Sequence, residues 1–130
     1  MAAITLDSTA EHIKPLEGAT VRRCTAGGTI TAGQPVSMNS SGTVVRTNTS
    51  TAATQYVVGI ALQSVVSGNT LDVVTFGPVI CTTVATPAAL AYGSDTAGAL
   101  DDAVGTQDVV VGFSESATVL FVRPQFIDYT

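Results

Sequence analysis

Tyr56-Val57-Val58-Gly59-Ile60-Ala61-Leu62-Gln63 and Thr70-Leu71-Asp72-Val73-Val74-Thr75-Phe76 decide the fold. Both runs are short, rich in Val, Ile, Thr and aromatic residues, and separated by turn chemistry at Ser67-Gly68-Asn69. Such residues suit a pleated, half-buried surface, and runs of this length between Gly, Asn and Ser clusters read as strands. The same pattern recurs outward in both directions. Strands are expected at residues 19–24, 35–38, 43–46, 56–63, 70–76, 79–84, 108–114 and 118–123. Asn39-Ser40-Ser41-Gly42 supplies one tight turn, and Gly77-Pro78 is expected to end a strand because Pro78 has no N–H for a ladder. The expected class is all-β: a small antiparallel β-barrel or sandwich, with an extended N-terminal arm and at most short helical turns.

Two strands are apolar on both faces, Val109-Val110-Val111-Gly112-Phe113 and Val119-Leu120-Phe121-Val122. An antiparallel strand with one wet face should alternate, so these are covered twice. The second cover is either a sister subunit or the chain's own arm or a long loop. On the first reading Val110, Leu120 and Val122 are subunit-interface residues. The two halves also echo one another. Each ends in an apolar-Val-Gly-apolar strand, and Gly59 and Gly112 are expected at matched places where a strand bends or backbones come close.

Residues 1–18 differ from the rest and read as an arm, leaving 19–130 as a single β domain. Ser8-Thr9-Ala10-Glu11 fits a capping box, so one helical turn is expected from Ser8, ended by Pro15. A second helical turn is expected at Thr86–Ala91, with Pro87 in its first position.

Composition limits function. Charged residues make up 12% of the chain, against about 25% in ordinary domains. A weakly charged Ala/Val/Thr-rich chain is expected to hide surface against other copies or another protein. Net charge is −5, and the five basic residues form no cluster beyond Arg22-Arg23. Nucleic-acid binding and adhesion to an anionic membrane are therefore not expected. No apolar run approaches the ~20 residues of a spanning helix, and the start lacks the basic and apolar regions of a signal peptide. Arg22 and Arg23 are expected either to form subunit ion pairs or to serve as edge charges against aggregation.

Chemistry is sparse. His12 is the only histidine and lies in the arm, away from any supported nucleophile. Asp95, Asp101, Asp102 and Asp108 do not follow the spacing of a calcium loop and read as a solvated acidic loop. Cys24 and Cys81 read as reduced thiols acting as small hydrophobes. No phosphate-binding or dinucleotide motif occurs. No cofactor, metal or catalytic residue is expected.

The cadence of Ala32-Gly33-Gln34-Pro35-Val36, Val57-Val58-Gly59-Ile60-Ala61-Leu62 and the 68–79 stretch, Gly68-Asn69-Thr70 to Gly77-Pro78-Val79, resembles the capsid decoration (cement) proteins of tailed bacteriophages, in the small-β-barrel family with an N-terminal arm. The resemblance covers residues 19–84, with a looser match beyond. It implies a structural virion protein seated on the outer face of a capsid. Its partner would be the major capsid protein, its own state a homotrimer or other small oligomer, and its action the clamping of neighbouring capsid subunits. It also implies that the arm, through Ile4, Leu6, His12, Ile13, Lys14 and Leu16, makes capsid or subunit contacts. The alternatives are another virion component, such as a head-fibre base or tail protein, and a non-catalytic module binding a small ligand or carbohydrate.

Overall fold

The computed structural model describes residues 3–50 and 56–126. It is all-β, and the antiparallel sheet curls into a half-barrel. Among the described residues eleven strands follow in order: β1 (Ala3–Ile4), β2 (Lys14–Pro15), β3 (Thr20–Thr25), β4 (Pro35–Met38), β5 (Val44–Arg46), β6 (Val57–Ala61), β7 (Thr70–Ile80), β8 (Leu90–Gly93), β9 (Leu100–Asp101), β10 (Val109–Ser114) and β11 (Val119–Phe126). Across the sheet the order is β1-β9-β8-β10-β11-β7-β6-β4-β5, with β2 and β3 also paired to β7.

Gly77-Pro78 does not end a strand. β7 runs through it, but its neighbours change there. Its first half lies beside β3 and β6, its second half beside β2 and β11. Pro78 needs no ladder donor at this corner, and its carbonyl oxygen accepts from the Leu16 N–H at 2.9 Å. Gly77 has φ +106, and a Cβ there would sit 2.8 Å from Ala19 Cα. A residue free of Cβ therefore lets the strand turn from one half of the sheet into the other.

The echo between the halves is a structural repeat. The order β5-β4-β6-β7 is matched by β9-β8-β10-β11. In the first unit Pro35 pairs with Ile60, Val36 with Gly59 and Ser37 with Val57, skipping Val58. In the second Leu90 pairs with Phe113, Ala91 with Gly112 and Tyr92 with Val110, skipping Val111. The entry turns match too. Gln34 N–H donates to Thr31 O and Ala89 N–H to Thr86 O, both at 3.2 Å, around Gly33 (φ +92) and Ala88 (φ +71). The leading strand of the first unit is β3, and that of the second is the far half of β7. Cys24 and Cys81 fall at corresponding positions, because Arg22 faces Val73 as Val79 faces Leu120.

Thr86–Ala89 is thus a type II turn, not a helical one. Pro87 fixes the first central φ, and Ala88 takes the left-handed conformation that its counterpart supplies with glycine. Ala88→Gly is expected to stabilise the protein by about 0.5–1 kcal/mol, since the left-handed strain of an L-residue outweighs glycine's extra chain entropy. A rise in the denaturant midpoint at constant slope checks it.

Two aliphatic cores result. One joins Ile60 and Val74 of the first unit to Val79, Leu100, Val111, Leu120 and Val122 of the second. The other lies inside the first unit, among Val36, Val44, Leu71 and Val73, and is closed by Ala26 and Ile30 with Val65. β6 and β7 separate the cores, which is why both their faces are apolar. Both cysteines are free and buried, and burial pushes the Cys81 thiol up to about 12.

The arm lies against its own domain; Met1 and Ala2 fall outside the described residues. β1 pairs with β9, β2 with β7, and Leu6 bridges to Thr82. The capping box from Ser8 does not form. A 3₁₀ turn occupies Ala10–His12 with no side-chain cap at Thr9. Asp7 supplies the local order instead. One of its carboxylate oxygens accepts from the Thr9 N–H at 2.9 Å, and the other lies 3.0 Å from His12 Nδ1.

Candidate interaction surface

β8, β10, β11 and β7 carry a row of outward side chains. Leu90 faces Phe113, Phe113 faces Phe121, and Phe121 faces Pro78 in direct cross-strand register. The Phe113 and Phe121 rings stack at 5.2 Å between centroids, 20° from parallel. Phe76 meets Phe121 edge-on, also at 5.2 Å. Leu90 is 47% exposed and Phe76 48%. Alternation along each strand puts Val119, Ile80 and Arg123 on the same face, and Lys14 joins it opposite Ile80.

Three of the chain's four phenylalanines therefore lie in one outward cluster, while among the described residues neither core cluster contains an aromatic side chain. A large aromatic side chain gains most by burial. Placing three of them outside a core that has none marks a surface built to be covered. Sequence reading missed this cluster. The two-faced character of β10 and β11 was visible, but the side that stays open depends on strand order.

Expected interface residues divide sharply. Val110 is 5% exposed, and Leu120 and Val122 are 0% exposed. This corrects their assignment to a subunit interface, because the chain covers them itself. Ile4 and Leu6 pack on the core that joins the units, and Ile13 is buried there with its Cδ1 over Gly33. His12, Lys14 and Leu16 remain exposed. Arg22 is exposed, whereas Arg23 lies 3.4 Å from Asp72 and donates to Thr70 Oγ1 at 3.1 Å. An exposed pair of this kind contributes little to stability.

The acidic residues are not a single solvated loop. Asp101 and Asp108 are buried. Asp95 accepts from Thr49 Oγ1 at 2.7 Å, from the Thr106 N–H at 3.0 Å and from Thr106 Oγ1 at 2.7 Å. These bonds, those from Thr106 first, hold its carboxyl below the usual 3.8. Because the folded value is depressed, the stabilisation is present above the unfolded value and is lost as pH falls through the folded one. Asp95→Asn is expected to be less stable than the parent at pH 7, with the gap closing below about pH 4. Thermal melts at both pH values check this.

Two clefts lie at corresponding places in the repeat. One is lined by Thr29–Thr31, Ser64–Val66 and Asn69. The other is lined by Val84–Thr86, Ala89 and Ser114 together with Ile4, Thr5 and Asp102. Apart from Asp102 and Asn69, their walls are aliphatic and hydroxyl groups. Among the described residues, no three His, Cys, Asp or Glu side chains gather as metal ligands. No described helix is long and apolar enough to cross a membrane. In comparisons with known proteins, no family model and no curated protein sequence matches the chain.

Proposed function

We propose that the chain is a structural virion protein, without catalytic activity, that sits on the outer surface of a phage capsid and stabilises the shell by bridging neighbouring subunits of the major capsid protein. The observation that carries this reading is the partly exposed aromatic face, which marks the chain as one that works in an assembly, whether it is covered by a second copy or by the shell. The cadence that resembles decoration proteins supports it. Its glycines occupy turns, a strand beside a bulge and the β7 corner, Pro35 opens β4 and Pro78 follows the corner glycine. His12 and Leu16, exposed on the arm, are the residues that would meet the shell.

Bridging is mass action. A protein that binds only the assembled lattice stabilises it by its binding free energy at the working concentration, and many copies in symmetric sites make modest contacts add up. The test is co-sedimentation with undecorated phage shells. Saturable pelleting and a raised shell-disruption temperature are expected. Protein left in the supernatant at every shell concentration would overturn the reading.

A further inference from the structure

The internal repeat identifies what belongs on the aromatic face. Ile60 and Val74 of the first unit correspond to Phe113 and Phe121 of the second, since Ile60 faces Val74 as Phe113 faces Phe121. In the first unit Ile60 and Val74 are fully buried, covered by the concave side of the second unit. In the second unit Phe113 and Phe121 are only half-buried, beside the exposed Phe76 and Leu90. Continuing the pattern head to tail would require the concave side of another copy's first unit. That side is already filled by Ala26, Ile30 and Val65. Only a face-to-face arrangement is left for a second copy.

We propose that two copies of this chain associate through the outward face of β10, β11, β7 and β2, which holds the stacked aromatic rings, about a two-fold axis running along the strands. Face-packed sheets keep their strands within about 30° of alignment, which permits such an axis. Placed between β11 and β7, the axis sets β11 of one copy on β7 of the other and β10 on β2. Phe121 then meets Pro78 of the second copy, and Val119 meets Ile80. Arg123 falls over the Phe76 ring, a cation–π contact. Glu115, on the same face as Phe113 and opposite Val119, meets Lys14. The face is thus self-complementary in charge, as an isologous interface demands. Three outward positions on β11 and three on β7, flanked by Phe113 and Glu115 on one side and Lys14 on the other, give a patch on the order of 300 Å² for strands ~4.8 Å apart. That suits the centre of a standard interface of about 800 Å² per partner.

The inference holds whether or not the protein binds a shell, and molar mass alone tests it. Light scattering across a dilution series should give twice 13.2 kDa at high concentration. Glu115→Lys and Lys14→Glu should each weaken association about tenfold by opposing like charges. The double variant should restore it, a result that no folding defect produces. Phe121→Ser should yield single chains. A mass of one or three chains for the parent, or a double variant no better than the singles, would overturn the proposal.

Discussion

Gly59→Ala and Gly112→Ala are each expected to destabilise the protein by about 3 kcal/mol or more, enough to leave much of the chain unfolded at 37 °C. The cause is backbone, not side-chain, crowding. A Cβ on Gly59 would overlap the carbonyl oxygen of Val74, and one on Gly112 would overlap that of Phe121. Neither oxygen can move without opening the ladder that joins β6 to β7 or β10 to β11. Flexible side chains could give way, but paired backbone cannot. Gly28 provides the control. Nothing lies within 4 Å of a Cβ there, so Gly28→Ala is expected to be neutral or slightly stabilising. Thermal melts of the three variants decide the matter, at about 3–5 °C per kcal/mol for a domain of this size.

Leu120→Ala is expected to cost about 2–5 kcal/mol. Leu120 is fully buried between Val79 of β7 and Ser114 of β10, inside the core that joins the two units. Removing three carbons there leaves a cavity whose walls are strands held by their own ladders, so collapse is limited. The measurement separates a core role from an interface role. If Leu120 mainly joined subunits, the loss would shrink on dilution together with the parent's stability. A core residue loses the same free energy at every protein concentration. Leu16→Ala, at a residue 37% exposed, should cost less than about 1 kcal/mol.

Much of the fold was legible because β-branched runs and Gly/Asn turns act locally. Pro35–Met38 appears as expected, and the strands expected at 19–24, 56–63 and 108–114 shift by three residues or fewer at an end. β8 and β9 escaped notice because Leu90-Ala91-Tyr92-Gly93 and Leu100-Asp101 carry little β signal. They are strands because the repeat places β8 against β10 and β9 against β8. The reading of Gly77-Pro78 as a break failed for a non-local reason. A proline weakens a strand only where a neighbour requires its N–H, and here the neighbours change at that residue. The aromatic face stayed hidden because Phe113 and Phe121 lie within runs that are apolar throughout. Only the assembled sheet separates the side facing Val111 and Leu120 from the side facing solvent.

The β7 strand, passed from one unit to the other at Gly77-Pro78, has a consequence for how the molecule comes apart. Tandem units joined by a linker can melt one at a time. Here the closing strand of the first unit is continuous with the opening strand of the second, and the core between them takes Ile60 and Val74 from one and Leu120 and Val122 from the other. Neither half retains a complete sheet when the other is lost. Despite its duplicated plan, the chain should unfold in a single all-or-none transition, its calorimetric and van't Hoff enthalpies agreeing.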